Sequence, residues 1–214
     1  MKKTINLFSA LLALTVLISA VSAPKQDGWI SIFDGKSLKG WKVGNNASSF
    51  SIEDGAIKVN GPVGHLFYEG PVKNHMFKNF EFKAQVMTKP GANSGIYIHT
   101  TYQETGWPSK GYEVQVNNSH TDWKRTGSLY DIVDVKETYA KDNEWYTEYV
   151  KVEGKHITIK INDKTVVDYE EADADKRSPD HKERFLSSGT FAFQAHDPKS
   201  IVYFKDIMVK PLTE

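Results

Sequence analysis

The chain reads as all-β, an antiparallel jelly-roll sandwich of two packed sheets. Three observations predict it. Apolar residues recur at every second position over short runs, the pattern of strands that bury one face. Turn residues punctuate those runs at close intervals. No stretch within the 214 residues pairs a helical period with a polar opposite face over any length, which leaves strands to build the core.

The elements follow in order. Lys2 and Lys3 precede an apolar run from Leu7 to Val21, followed by Ser22, Ala23 and Pro24. A basic start, an apolar run and small residues make a signal peptide over residues 1–23. The alternative is an N-terminal membrane anchor, but the run is shorter than the ~20 residues a span needs. The expected mature domain is 24–214, exported to the periplasm or secreted. No Cys follows the apolar run, so no lipid-attachment site of the lipoprotein type is present. Ile52 to Val59 reads as strand, turn at Glu53-Asp54-Gly55, and strand. Phe80, Phe82, Ala84 and Val86 alternate with Glu81, Lys83 and Gln85. Asn93-Ser94-Gly95 reads as a turn whose glycine permits close approach, leading into Ile96-Tyr97-Ile98-His99. Tyr112, Val114 and Val116 then alternate with Glu113, Gln115 and Asn117. Ile157, Ile159 and Ile161 run into an Asn162-Asp163 hairpin turn and a return strand over Thr165–Tyr169. The charged stretch Glu170–Ser188, with Pro179, reads as a long loop holding one helical turn. Gly189–His196 and Ser200–Val209 read as a closing hairpin through Asp197-Pro198.

Composition narrows the function. There is no cysteine, so an exported chain of this kind is stabilised by its core and not by disulfides. Loss of Lys2 and Lys3 with the leader leaves 25 basic and 27 acidic residues, a net charge of −2. Such a balance offers no field to draw nucleic acid or an anionic membrane. A neutral partner, a sugar above all, is the expectation; oligomeric state is left open.

The polar faces carry the chemistry. An ordinary solvent face favours Lys, Thr and Ser. Here Glu113 and Gln115 share one face, and Gln194 and His196 share another, an arrangement suited to a concave sheet that grips a polyhydroxylated ligand. Glu113 is the first candidate for acid–base work, because a half-enclosed carboxylate has a raised pKa; the plainer alternative is a surface Glu paired with a cross-strand Lys. His196 is its candidate partner, against a purely structural His at a strand end. Tyr97 and His99 are placed together on the polar face. Trp107, with Tyr102 in the same loop, and Trp123 in the next are candidates to stack on a sugar ring, or to pack under their own loops. No Cys nucleophile, Gly-x-Ser-x-Gly elbow, glycine-rich phosphate loop or His-Glu-x-x-His zinc motif is present. No metal site is expected and no cofactor is required, though a structural calcium ion is left open because its oxygen ligands have no fixed spacing here. The Glu-x-Asp-x-Glu pattern of ordinary retaining glucanases is missing too.

Several segments carry a family resemblance. Ile32-Phe33-Asp34-Gly35-Lys36-Ser37-Leu38-Lys39-Gly40-Trp41 resembles the opening of the 3-keto-disaccharide hydrolase domain family, formerly a domain of unknown function. The likeness continues through Asn93-Ser94-Gly95-Ile96-Tyr97, Gly111-Tyr112-Glu113-Val114-Gln115-Val116, Thr126-Gly127-Ser128-Leu129-Tyr130, Asn143-Glu144-Trp145 and Gly189-Thr190-Phe191-Ala192-Phe193-Gln194-Ala195-His196. The chain departs from it at His99, where many similar members carry Arg. The resemblance implies a concanavalin-like jelly roll and a hydrolase of glycosides oxidised at C3. For that chemistry the proton transfer is assigned to Glu113, with His196 as partner acid or base, on chemical grounds and not by the resemblance, and Gln115, Gln194, His99 and Tyr130 are expected to orient the keto-sugar. A non-catalytic carbohydrate-binding module is the runner-up, and a cell-surface interaction domain the third reading.

Overall fold

The computed structural model describes residues 28–173, 176 and 184–213. The leader over 1–23 and most of the proposed helical turn within 170–188 lie outside the described residues. Among the described residues, thirteen strands form two antiparallel sheets. The strands are β1 (Ile30–Ser31), β2 (Trp41–Val43), β3 (Phe50–Glu53), β4 (Ala56–Val59), β5 (Gly64–Tyr68), β6 (Phe80–Thr88) and β7 (Ser94–Thr100). They continue as β8 (Tyr112–Val116), β9 (Tyr146–Glu153), β10 (His156–Ile161), β11 (Lys164–Glu170), β12 (Thr190–Ala195) and β13 (Val202–Pro211). The large sheet has the order β11-β10-β9-β6-β13-β4-β3, with β1 also paired to β13; the small one is β2-β5-β12-β7-β8. Among the described residues no helix is long and apolar enough to cross a membrane.

The core lies between the sheets and follows from the period-two pattern. In β6, Phe80, Phe82, Ala84 and Val86 are buried, and the alternate residues are half-buried. From β12, Phe191 meets Phe80 and Phe82 at ring-centroid distances of 5.0 and 4.7 Å, and Phe193 stacks on Phe204 of β13 at 4.2 Å. These contacts join the two sheets by apolar area and ring geometry together. The turns at Asp54-Gly55 and Asn162-Asp163 form as expected, with Asp54 and Asn162 in the left-handed region at φ 49° and 53°.

Two local readings are corrected. Residues 189–209 make no hairpin: β12 lies between β5 and β7 in the small sheet, whereas β13 lies between β6 and β4 in the large one. The segment at Asp197 crosses between the sheets instead. Asp197 Oδ1 accepts the Lys199 and Ser200 N–H groups at 2.8 and 3.2 Å, an Asx-type turn whose local geometry resembles a hairpin in sequence. Gly95 is not in a turn but inside β7.

The small sheet is unusual in that both its faces are covered. Every residue of β5, β7, β8 and β12 is buried. Polar residues on its outer face are thereby taken out of bulk water without entering the core, and this gives the site its character.

One acidic group lies in the core itself. Glu148 sits on the inner face of β9 opposite Ala84 and Ile161, fully buried, and neither carboxylate oxygen has a hydrogen-bond partner. Burial pushes its carboxyl well above the usual range, so it folds as the neutral acid. The unfolded chain releases that proton above its ordinary pKa, so the native state binds more protons and stability falls as pH rises from there toward the folded pKa. Glu148→Met is expected to remove this slope in denaturant titrations and to raise stability near neutrality by about 1–3 kcal/mol. An unchanged pH slope would place the dependence elsewhere.

Candidate active site

On the outer face of the small sheet, β5 contributes His65 and Phe67, β12 Ala192 and Gln194, β7 Tyr97, and β8 Glu113 and Gln115. One half of this face is filled. Phe67, Tyr97 and Ala192 form a small apolar cluster under Tyr102, whose ring lies 5.4 Å from that of Phe67. The other half opens as a cavity of about 300 Å³. Its floor is Tyr97, Glu113, Gln115 and Gln194, and its walls are Asn93, Trp107, Pro108, Tyr130, Arg184 and His196. A larger depression of about 660 Å³ lies on the outer face of the eight-stranded sheet around Lys83, Gln85 and Thr147. We place the site in the smaller cavity, because a buried carboxylate and an aspartate-paired histidine converge there.

Glu113 is held by two donors. Tyr97 Oη–H donates to Oε2 at 2.9 Å, and Gln194 Nε2 donates to Oε1 at 2.9 Å and to Tyr97 Oη at 3.1 Å. β7 and β8 are in register with Tyr97 opposite Glu113, and β7 pairs with β12 on its other side, so three neighbouring strands deliver the trio. Burial pushes the Glu113 carboxyl above its ordinary value, and Tyr97, the Arg184 charge and Gln194 pull against that shift. The net result is a carboxyl poised above the usual glutamate range.

His196 follows the last residue of β12. Its Nδ1 lies 2.9 Å from Asp197 Oδ2. Burial raises the Asp197 carboxyl, but the Ser200 hydroxyl, His196 and the Lys199 N–H outweigh it and hold the pKa at about 2. An ionised Asp197 fixes Nδ1 as the protonated nitrogen and leaves Nε2 for proton exchange, the arrangement that orients a catalytic imidazole. The indole of Trp107 lies between two imidazoles, 5.5 Å from His65 and 5.7 Å from His196. Trp107 is 48 % exposed at the mouth, as an aromatic platform for a sugar ring would be.

The structure thus gathers Glu113, His196, Tyr97, Trp107, Gln115, Tyr130 and Gln194 around one cavity. Two sequence candidates lie elsewhere. His99 has φ 53°, and the β12–β7 register shifts between Thr190 and Ala192, so a bulge breaks the period that would have put it beside Tyr97. Its ring packs against Phe80, with Nε2 on the Lys78 carbonyl at 2.9 Å and Nδ1 accepting the Ser187 N–H at 3.2 Å. With both nitrogens engaged and its pKa lowered to about 4 by burial, it pins segments together. Trp123 is 50 % exposed and contributes nothing to the cavity lining; Lys124 and Lys136 lie 5.8 and 5.6 Å from its ring.

Residues 28–210 match the sequence model of the 3-keto-alpha-glucoside-1,2-lyase-like domain. The chain belongs to that family. Over 171 residues it is 32 % identical to a 3-keto-disaccharide hydrolase of Bacteroides thetaiotaomicron, an alignment covering 67 % of this chain and 59 % of the relative. The chain therefore spans well under two thirds of that relative's length. A crystal structure of a candidate glycosyl hydrolase from Parabacteroides distasonis superposes with a TM-score of 0.74 at 22 % identity, covering 87 % of this chain and 95 % of the other. The carbohydrate-binding module CBM66 of Bacillus subtilis shares the fold at a TM-score of 0.56 and 13 % identity, over 80 % of this chain and 95 % of that one.

For this member of the 3-keto-alpha-glucoside-1,2-lyase-like family, sequence reasoning missed Asn93, Pro108, Arg184, His65 and Asp197. His65 could have been found, since it alternates with the core residues Leu66 and Tyr68 in β5. It is 2 % exposed, its Nε2 has no protein partner, and burial lowers its pKa to about 4. Arg184 left no signal in its charged segment. It reaches the cavity by donating Nη1–H to the Tyr130 carbonyl at 2.8 Å. Among the described residues no group of three or more His, Asp or Glu side chains gathers as a metal centre.

Proposed function

We propose that the chain cleaves 3-keto-glucosides or 3-keto-disaccharides by elimination across C1 and C2, followed by hydration. The observation that carries this reading is the buried Glu113, held by Tyr97 and Gln194 in the cavity that His196 also lines. A C3 ketone acidifies the C2 proton. Glu113 takes that proton, and the electron pair moves onto the C3 oxygen as an enolate. The C3 carbonyl then re-forms, C1 and C2 become doubly bonded, and the C1–O bond breaks toward the aglycone. His196, protonated on both ring nitrogens, gives its Nε2 proton to the departing oxygen. Water then adds across the double bond: its hydroxyl bonds to C1 while Nε2 takes the released proton, and Glu113 returns its proton to C2, which gives the free 3-keto-sugar and restores both groups. Family membership and the Bacteroides relative's name support the substrate class. Arg184, a cation in the cavity wall, supplies positive charge near the developing enolate, where preorganised charge acts most strongly.

The test is release of 3-keto-glucose from 3-keto-trehalose or a 3-keto-glucoside, with the unoxidised parent alongside. The expected result is release from the keto form alone. Saturable binding of both forms with no release from either would instead identify a carbohydrate-binding module.

A further inference from the structure

The two glutamines that line the cavity have fixed polarity. Glu113 accepts from Gln194, so the Gln194 amide nitrogen faces the carboxylate and its Oε1 is left buried with no protein partner. Gln115 is held through a longer chain. The backbone N–H of Asp122 donates to His120 Nδ1 at 3.1 Å, which makes that nitrogen an acceptor and leaves the neutral ring's proton on Nε2. Asn93 turns Nδ2 toward the same nitrogen at 3.5 Å, and its Oδ1 accepts from Gln115 Nε2 at 3.2 Å. Gln115 Oε1 is then the second buried acceptor without a protein partner.

We propose that Oε1 of Gln115 and Oε1 of Gln194 are the specificity element of this cavity, each taking the O–H of one ring hydroxyl. His120 and Asn93 are positioning residues that keep Gln115 turned as an acceptor. The inference rests on the reading that the cavity receives a keto-sugar, and it orients that sugar. A ketone oxygen has no proton to give, so it satisfies neither glutamine. The oxidised C3 edge therefore faces away from them, and two of the hydroxyls at C2, C4 and C6 face them. A buried acceptor left unmet rejects a ligand far more strongly than a lost apolar contact does.

Deoxyfluoro sugars test this, because fluorine keeps the shape and cannot donate. Methyl glucoside and its 2-, 3-, 4- and 6-deoxyfluoro analogues would be titrated calorimetrically into the wild-type protein. Two of the 2-, 4- and 6-positions are expected to lose affinity by about 100-fold or more, with the 3-position tolerated. One loss should vanish in Gln115→Met and shrink in His120→Phe; the other should vanish in Gln194→Met. His120 is half-buried in a loop outside the strands, its ring 5.7 Å from that of His196, and His120→Phe keeps an aromatic ring there and serves where Gln115→Met fails to fold. Equal affinity across the series, losses that survive the substitutions, or no binding of any member would overturn the proposal. Turnover of methyl 3-keto-glucoside is read separately. Two penalised positions without turnover would remove the proposed reaction and keep the recognition; turnover with no penalised position would do the reverse.

Discussion

Glu113→Gln is expected to lower kcat on a 3-keto-glucoside by about 10²–10⁴-fold, the contribution of a positioned acid–base group. The substitution keeps the shape and removes the proton acceptor. Stability should hold or rise, since a buried carboxyl is replaced by a neutral amide where burial disfavours charge. Stopped-time assays of 3-keto-sugar release, with thermal melts of both proteins, separate the two effects. Wild-type turnover in the variant would remove Glu113 from the reaction and leave Asp197-paired His196 as the base. The pH profile carries the same logic. As a base Glu113 must be ionised, and its carboxyl lies above the usual range because of burial. The acid limb of kcat/KM should therefore fall above the ordinary glutamate value. Tyr97→Phe deletes a donor that favours the ionised form, so the limb should move to higher pH still. A limb that moves down would mean that Tyr97 acts on the neutral acid.

Gly95→Ala should cost about 10²-fold in activity with little loss of fold, because ångström-scale misplacement of a catalytic group has effects of that size. The backbone of Gly95 is ordinary β, so alanine brings no conformational strain. The side chain is the difficulty. A Cβ at this position would lie 2.3 Å from Glu113 Oε1, 2.8 Å from its Cγ and 2.9 Å from its Cδ. Glu113 leans across β7 at the one place where no side chain stands, and an added methyl drives the carboxyl out of reach of Tyr97 and Gln194. Far-ultraviolet circular dichroism and kcat/KM on the same sample check both halves. Wild-type rates in Gly95→Ala would mean that Glu113 does not act from the position described here. A collapse of the fold would mean that the carboxyl cannot yield into the cavity.

The cavity shows where sequence reasoning reaches its limit. Glu113, Gln115 and Gln194 were legible because their strands alternate without interruption and the opposite face is wholly apolar. His99 was not, because its own backbone stands at φ 53° in a bulge that breaks the alternation after Tyr97, and nothing in Ile-Tyr-Ile-His distinguishes a bulge from a regular strand. Trp123 shares the composition of a sugar platform, yet lies outside the cavity. The role of Gly95 as a seat for the Glu113 carboxyl depends on a neighbour 18 positions along the chain.

The sequence by itself determined the all-β class, most strand spans, the family, and the face each side chain takes wherever a strand runs without a bulge. These follow from period two and turn chemistry, which act between residues a few positions apart. Tertiary structure alone decided that β12 lies between β5 and β7 while β13 crosses to the other sheet. It also decided that Arg184 reaches the cavity wall, that Asp197 pairs with His196 in the crossing turn, and that Glu148 is neutral in the core. Strand order is set by burial of the whole apolar surface at once, a sum over distant pairs that no local window contains.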